Sequence, residues 1–261
     1  MKANTKTTTM ISLALLGGFA NAATIIDDFN DGNDNGWTRY DPIGAAIGSP
    51  FASFSFPNGN SYRMQAPESP NPAVIGPARA GAYRADISQT NFVNTIDVIN
   101  WESGIEQSFG LVARAGNFGP GMTTGYVFMM CDLCDFIAIS RADNEQFFGP
   151  ESDPDGDGSS FASVNIDPAN AYRLVFTGIG SSLTGEIYDL SDLTTPLATV
   201  TATDTTYTSG NPGLLTAAFT TPGATNTDTT FDNFSAIPEP TSALLIGMSA
   251  LLLTRRQRRN A

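Results

Sequence analysis

Between its two ends the chain never holds an apolar 3.6-residue period for three turns, which leaves sheets as the way to bury a core. Short segments rich in Val, Ile, Phe, Tyr and Thr recur instead. They run from Thr24 to Phe29, Phe51 to Phe56, Ser61 to Ala66, Ala78 to Asp86, Phe92 to Trp101, Gln107 to Ala115 and Tyr126 to Cys131, and then from Cys134 to Ser140, Tyr172 to Gly178, Leu183 to Leu190, Leu197 to Thr203, Leu214 to Phe219 and Thr229 to Ser235. Gly, Pro, Asn and Asp separate them, as turn residues do. Phe51-Ala52-Ser53-Phe54-Ser55-Phe56 and Ala171-Tyr172-Arg173-Leu174-Val175-Phe176 alternate as in a sheet with one wet face. Strands this short and this numerous predict an all-β, antiparallel two-sheet β-sandwich, a jelly roll. The chain has no fixed-period repeat that would favour a propeller or solenoid.

The two ends are of another kind. Lys2 and Lys6, the apolar stretch Met10 to Ala20 and the small-x-small step Ala20-Asn21-Ala22 predict a signal peptide over residues 1–22, with the mature chain starting at Ala23. The other end reads Ile237-Pro238-Glu239-Pro240, an apolar run from Thr241 to Leu253, and then Arg255, Arg256, Arg258 and Arg259. The prolines bar a helix at the start, the apolar run favours one, and arginines stay on the cytoplasmic side of a membrane. Residues 237–261 resemble the PEP-CTERM sorting signal of exported proteins in Gram-negative bacteria. That resemblance implies an exosortase-type membrane enzyme as partner and a surface or extracellular destination after export through the inner membrane. The run of thirteen residues is shorter than the 20 or so that a spanning helix needs, so it predicts a short hydrophobic helix that is held in the membrane only transiently.

Without these ends, residues 23–236 form one domain of high negative charge. The chain has 13 Lys and Arg against 26 Asp and Glu; the ends take six of the positive and one of the negative residues, leaving 7 against 25 and no lysine. Such a field repels nucleic acid and anionic lipid and favours cations or neutral ligands, and it also keeps an exported protein soluble.

The opening Asp27-Asp28-Phe29-Asn30-Asp31-Gly32, followed by Trp37, and the closing Thr230-Phe231-Asp232-Asn233-Phe234 resemble the paired first and last strands of concanavalin A-like lectin/glucanase (laminin-G-like) domains. The resemblance spans roughly residues 24 to 236 and implies terminal strands lying side by side, on a fold that serves lectins, carbohydrate-binding modules, glycoside hydrolases and adhesion domains alike. It also implies a structural calcium between the terminal strands, for which Asp28 and Asp232 stand at the matching positions.

Candidate chemistry is sparse. The chain has no histidine, which excludes Ser-His-Asp and Cys-His nucleophile systems and imidazole zinc sites. Paired carboxylates could still hydrolyse a glycosidic bond, but the Glu-x-Asp-x-x-Glu strand motif of the family 16 glucanases is missing, and Glu102 and Glu106 flank a Ser-Gly turn. No catalytic residue is assigned. Asp153-Pro154-Asp155-Gly156-Asp157-Gly158 matches the first half of an Asp-x-Asp-x-Asp-Gly calcium loop, with Asp153, Asp155 and Asp157 as ligands and either calcium or a solvated acidic loop as the reading. Asp31 to Gly36 has the same half-pattern and reads better as a turn.

Cys131 and Cys134, the only cysteines, bracket two residues between strand-like runs and predict a disulfide that staples a hairpin tip. Trp37, Tyr40, Trp101, Phe118, Tyr126, Phe147 and Phe148 lie in or beside loops and are the aromatic candidates for sugar contact, with core packing the commoner role for each. The functional expectation is an exported, surface-sorted, non-enzymatic sandwich that binds polysaccharide or contributes to an extracellular matrix. The alternative is an extracellular carbohydrate-active enzyme with an unrecognised carboxylate pair.

Overall fold

Alternate burial along β12 (Tyr172–Ile179) shows how these strands make a core: Tyr172, Leu174 and Phe176 are buried, while Arg173, Val175 and Thr177 face outward. A computed structural model describes residues 24–153, 160–218 and 226–238. The expected signal peptide, Asp155, Asp157 and the tail from Glu239 through the four arginines lie outside the described residues. Among the described residues no helix is long and apolar enough to cross a membrane.

Two antiparallel sheets form the sandwich. One has the order β14 (Ala198–Thr203), β13 (Ser182–Asp189), β12, β6 (Phe92–Trp101), β16 (Thr227–Pro238), β4 (Tyr62–Ala66), β3 (Ser53–Ser55), with β1 (Ile25–Asp27) also pairing with β16. The other runs β10 (Gln146–Phe148), β9 (Phe136–Asp143), β8 (Thr124–Cys131), β7 (Gln107–Gly116), β15 (Asn211–Ala218), β5 (Arg79–Tyr83), β2 (Thr38–Tyr40), with β11 (Phe161–Ser163) on β9. The terminal strands lie side by side as expected, with Ile25 opposite Ala236 and Asp27 opposite Phe234. Strand β16 continues through Ile237 and Pro238, opposite Val93 and Phe92, so the first proline of the tail motif belongs to the sheet.

The facing sheets enclose one aromatic-rich core, in which Phe92, Phe109, Phe128, Phe176, Phe231 and Phe234 are all almost fully buried. Burying a ring of this size contributes about 1.5–3 kcal/mol, so six of them weigh heavily in the stability of a domain with few ordered helices. Two short helices escape the sequence reading because neither reaches three turns. In α1 (Pro42–Ile47), Asp41 caps the start by accepting from Gly44 N at 2.9 Å, and Gly48 ends the helix in a left-handed conformation at φ 73°. The other, α2 (Pro72–Ile75), is a single turn before β5.

The Cys131–Cys134 disulfide forms, with 5.3 Å between the α-carbons, but the hairpin around it differs from the expected two-residue turn. Cys131 pairs across the ladder with Phe136, so Asp132 to Asp135 make a four-residue turn and Cys134 lies within it. The turn is anchored from outside: the Trp101 indole donates to Asp132 Oδ2 at 2.8 Å, a buried bond that the sequence pattern could not show.

A bulge in β7 places Arg114, which at 2% exposure is the most deeply buried arginine among the described residues. Between Ala113 and Gly116 the register with β8 shifts and Arg114 takes φ 47°, which turns its side chain away from the outer face. The guanidinium then donates to the carbonyls of Thr90 at 2.8 Å, Gly180 at 2.7 Å and Tyr207 at 3.1 Å, tying three connections at one end of the sandwich. Gly210 passes so close to this bulge that a Cβ on it would sit 2.4 Å from the Arg114 carbonyl carbon, so only glycine fits.

Candidate functional site

Strand β7 departs from one-sided burial, being buried on both faces from Gln107 to Ala115. Phe109, Leu111 and Ala113 point into the main core, whereas Val112 and Ala115 join Val127, Met129 and Ala142 in a second apolar cluster on the outer side of the second sheet. Leu215 and Phe118 pack against that cluster. Val112, Val127, Met129, Ala142 and Leu215 floor a groove of about 730 Å³, within the range of small-ligand sites.

Three rings close one end of the groove. Tyr83 of β5 stacks on Phe118 with 3.5 Å between centroids and 4° between planes, and Tyr40 of β2 meets Phe118 edge-on at 5.9 Å. A second cleft of about 720 Å³, bounded by Asp41, Phe54 and Pro120, shares these three rings. Phe147 is also part of the groove lining and is 48% exposed. At the other end, Ser108 precedes the inward-facing Phe109 and so belongs to the groove side, next to Ala217 of β15. Its hydroxyl oxygen is buried without a hydrogen-bond partner among the described residues.

An ion pair spans this face. Arg79 stands on β5 and Glu145 follows β9, elements separated in the sheet by β15, β7 and β8. Four strand spacings are about 19 Å. Even so, Arg79 Nε donates to Glu145 Oε1 at 3.1 Å and Nη2 to Oε2 at 2.8 Å, with side chains only 12% and 11% exposed. The turn that carries Glu145 and the loop at Gly121 therefore fold over the sheet toward β5, which is why the floor is buried although it lies outside the core. Glu145 accepts further from Gly121 N at 2.5 Å and from the Tyr40 hydroxyl, which also lies 2.6 Å from Thr123 Oγ1. Arg79 Nη1 completes its set on the carbonyls of Ile75 and Pro77, at 2.8 and 2.9 Å. Burial, and then the Glu145 charge, push the Tyr40 phenol well above its ordinary value, so it is a neutral donor.

The other arginines among the described residues are also engaged. Arg39 pairs with Asp34, Arg63 with Asp228, Arg84 with Asp86, Arg173 with Asp97, and Arg141 with both Asp143 and Asp204. The groove thus carries no uncommitted cation, and Glu145 is the sole carboxylate among its described lining residues.

The structure divides the aromatic candidates. Trp37, Trp101 and Tyr126 are core residues, with polar tips satisfied by Asp27, Asp132 and Asp204 respectively. Tyr40, Phe118 and Phe147 line the groove, and Phe148 is exposed outside it. Sequence reading missed Arg79, Glu145, Ser108 and the aliphatic floor. One usable signal was present: Tyr126-Val127-Phe128-Met129-Met130-Cys131 does not alternate, and an uninterrupted apolar run marks a strand covered on both faces.

The acidic candidates do not converge. Asp28 is exposed and accepts from Asn30 N at 3.2 Å, while Asp232 accepts from Asn233 N at 2.7 Å. Nearby Asp97 is held bidentately by Arg173 at 2.6 and 2.8 Å. Each of these carboxylates thus accepts at least one hydrogen bond within the protein. Burial, then the charges of Asp97 and Asp28, raise the pKa of Asp232. Asp153 is buried, and its Oδ2 accepts from Ser160 N at 3.0 Å and Ser160 Oγ at 2.7 Å. Among the described residues no group of three His, Cys, Asp or Glu side chains could hold a metal.

No protein-family model matches the chain, and no curated protein does. Solved structures do share its fold. A native glycosidic hydrolase superposes with a TM-score of 0.53 at 10% identity, covering 84% of this chain and 98% of the other. The carbohydrate-binding module CBM66 of Bacillus subtilis gives 0.49 at 14% identity, over 77% and 97%. Lectin II from Ulex europaeus gives 0.49 at 10%, over 84% and 100%. Likeness at these identities is one of fold, an antiparallel two-sheet jelly-roll sandwich.

Proposed function

We propose that this chain is an exported, non-catalytic β-sandwich that binds a neutral polysaccharide in the groove over β7, β8 and β15. The observation that carries the reading is the groove itself, an aliphatic floor ending in the Tyr83, Phe118 and Tyr40 rings. Rings of this kind stack against the apolar faces of pyranoses, and the surrounding acidic charge repels anionic polymers. Glycosidases need two carboxylates about 5 to 10 Å apart across the scissile bond. The groove offers Glu145, both of whose oxygens are already bonded within the protein. This supports binding over hydrolysis.

The reading includes delivery: the signal peptide directs export, and the Pro238-Glu239-Pro240 tail with its arginines is a sorting handle for an exosortase-type enzyme, leaving the sandwich at the cell surface or in an extracellular matrix. It also includes a structural calcium at the loop starting at Asp153, with Asp155 and Asp157. An unchanged melting temperature between calcium and chelator would remove that ion from the reading. Binding is tested by affinity electrophoresis through gels containing neutral polysaccharides, comparing the native protein with Phe118→Ala. Retardation that Phe118→Ala abolishes is expected. Retardation by no polysaccharide would sink the proposal, and release of reducing ends from any of them would replace it with the enzymatic alternative.

A further inference from the structure

The floor of the groove is unusual for a sugar site because it can accept no hydrogen bond from a hydroxyl. Val112, Val127, Met129 and Leu215 present only methyl, methylene and thioether groups, and the neighbouring position on the ladder is Ala217. A sugar hydroxyl placed there loses its water and finds no partner, whereas a methyl group gains by the same transfer. At one point the floor offers the opposite: Ser108, 6% exposed, with an oxygen that no described residue engages. Buried hydroxyls are ordinarily bonded, so an unpartnered one at the end of an apolar groove marks where a ligand's polar atom belongs. A carboxylated sugar is disfavoured twice, since Arg79 is fully used by Glu145 and two carbonyls and no second arginine lines the groove.

From these observations, and resting on the glycan-binding reading, we infer that the groove selects neutral glycans bearing methyl groups. It sets the methyl on the Val112, Val127, Met129 and Leu215 floor, takes one hydroxyl or carbonyl at Ser108, and rejects uronates. Methyl groups reach a glycan by deoxygenation at C6 or by acetylation, and both present the same apolar surface to the floor.

The test uses the chain without its leader and measures binding to acetylated xylan, the same xylan after alkaline deacetylation, a rhamnose polymer and polygalacturonate. One methyl in an apolar pocket is worth about ten-fold or more in affinity, so at least that ratio is expected for acetylated over deacetylated xylan, or for the rhamnose polymer over deacetylated xylan. Whichever pair shows the ratio identifies the source of the methyl. Val127→Thr, nearly the same shape, should narrow the ratio, with Leu215→Gln as a second variant should the first fail to fold. Ser108→Ala should weaken binding about two- to ten-fold without lowering the melting temperature, because no internal bond is lost. Equal affinity with and without methyl groups, lost in Phe118→Ala, would overturn this inference and leave glycan binding standing. Tightest binding to polygalacturonate would overturn it as well, and failure to bind any neutral polymer would overturn both.

Discussion

Replacing Arg79 by Met tests whether the ion pair across the groove holds the loops over the sheet. Glu145 receives four hydrogen bonds: two from Arg79, one from Gly121 N and one from the Tyr40 hydroxyl. With both side chains nearly nine-tenths buried, the 0.2–1 kcal/mol typical of exposed pairs is too small, while the 3–5 kcal/mol lost on orphaning a buried charge assumes that no other donor remains. Half of the donors remain, so Arg79→Met should cost about 2 kcal/mol. Glu145→Gln keeps one oxygen as an acceptor for Tyr40 and Arg79 Nε, but Arg79 Nη2 and Gly121 N lose theirs and the charge partner is gone, again about 2 kcal/mol. In the double variant neither charge is orphaned, and its loss should fall below the sum by about 1–2 kcal/mol. Urea unfolding of the four proteins reads this directly: with a slope of about 2 kcal/mol/M, each single variant shifts the midpoint by about 1 M. Strictly additive losses, or single-variant shifts under about 0.3 M, would show that the pair is a surface contact and that the floor is covered by something else.

Acid should act through Asp204. Burial pushes its carboxyl up, but bonds from the Tyr126 hydroxyl, Thr206 N and Glu151 N outweigh this and hold it below the ordinary aspartate value. A depressed folded-state pKa stabilises above the unfolded value, about 3.9, and the contribution is lost as pH falls through the folded one; melting temperatures from neutral to about pH 2 should therefore fall less steeply in Asp204→Asn than in the native protein. Asp232 has the opposite sign: its raised pKa favours the folded state at low pH and costs stability as pH rises, so Asp232→Asn should be the more stable protein at neutral pH and lose that advantage on acidification. A native protein equal to the variant throughout would refute the burial and charge repulsion acting on Asp232. Removing the disulfide as Cys131→Ala with Cys134→Ala closes no loop longer than four residues, so the loss should be about 2 kcal/mol, measured as a lower urea midpoint.

Much of the sandwich was legible because sheet formation is written at short range. The alternation in β12 and the bond between Cys131 and Cys134 depend on residues whose spacing carries the geometry, whereas the terminal pairing of Ile25 with Ala236 was implied by the resemblance of the chain ends. Even there, detail escaped. The cysteine hairpin took a four-residue turn because its width is set by the ladder register between β8 and β9, which involves strand residues beyond the motif.

The groove depends on longer range. Arg79 and Glu145 are 66 positions apart and meet only because the order β5, β15, β7, β8, β9 puts them on one face under folded-over loops. Nothing near Arg114 announces that a bulge will turn it to Thr90, Gly180 and Tyr207. By itself the sequence determined the class of fold, most of the strands that build it (β2, β10 and β11 were missed) and the acidic, histidine-free chemistry it could support, since these follow from side-chain period and composition. Only the tertiary structure decided which aromatics were core and which were surface, where the apolar groove lay and which charges were already spent, because burial and hydrogen-bond partners are properties of neighbours that the chain brings together only when it folds.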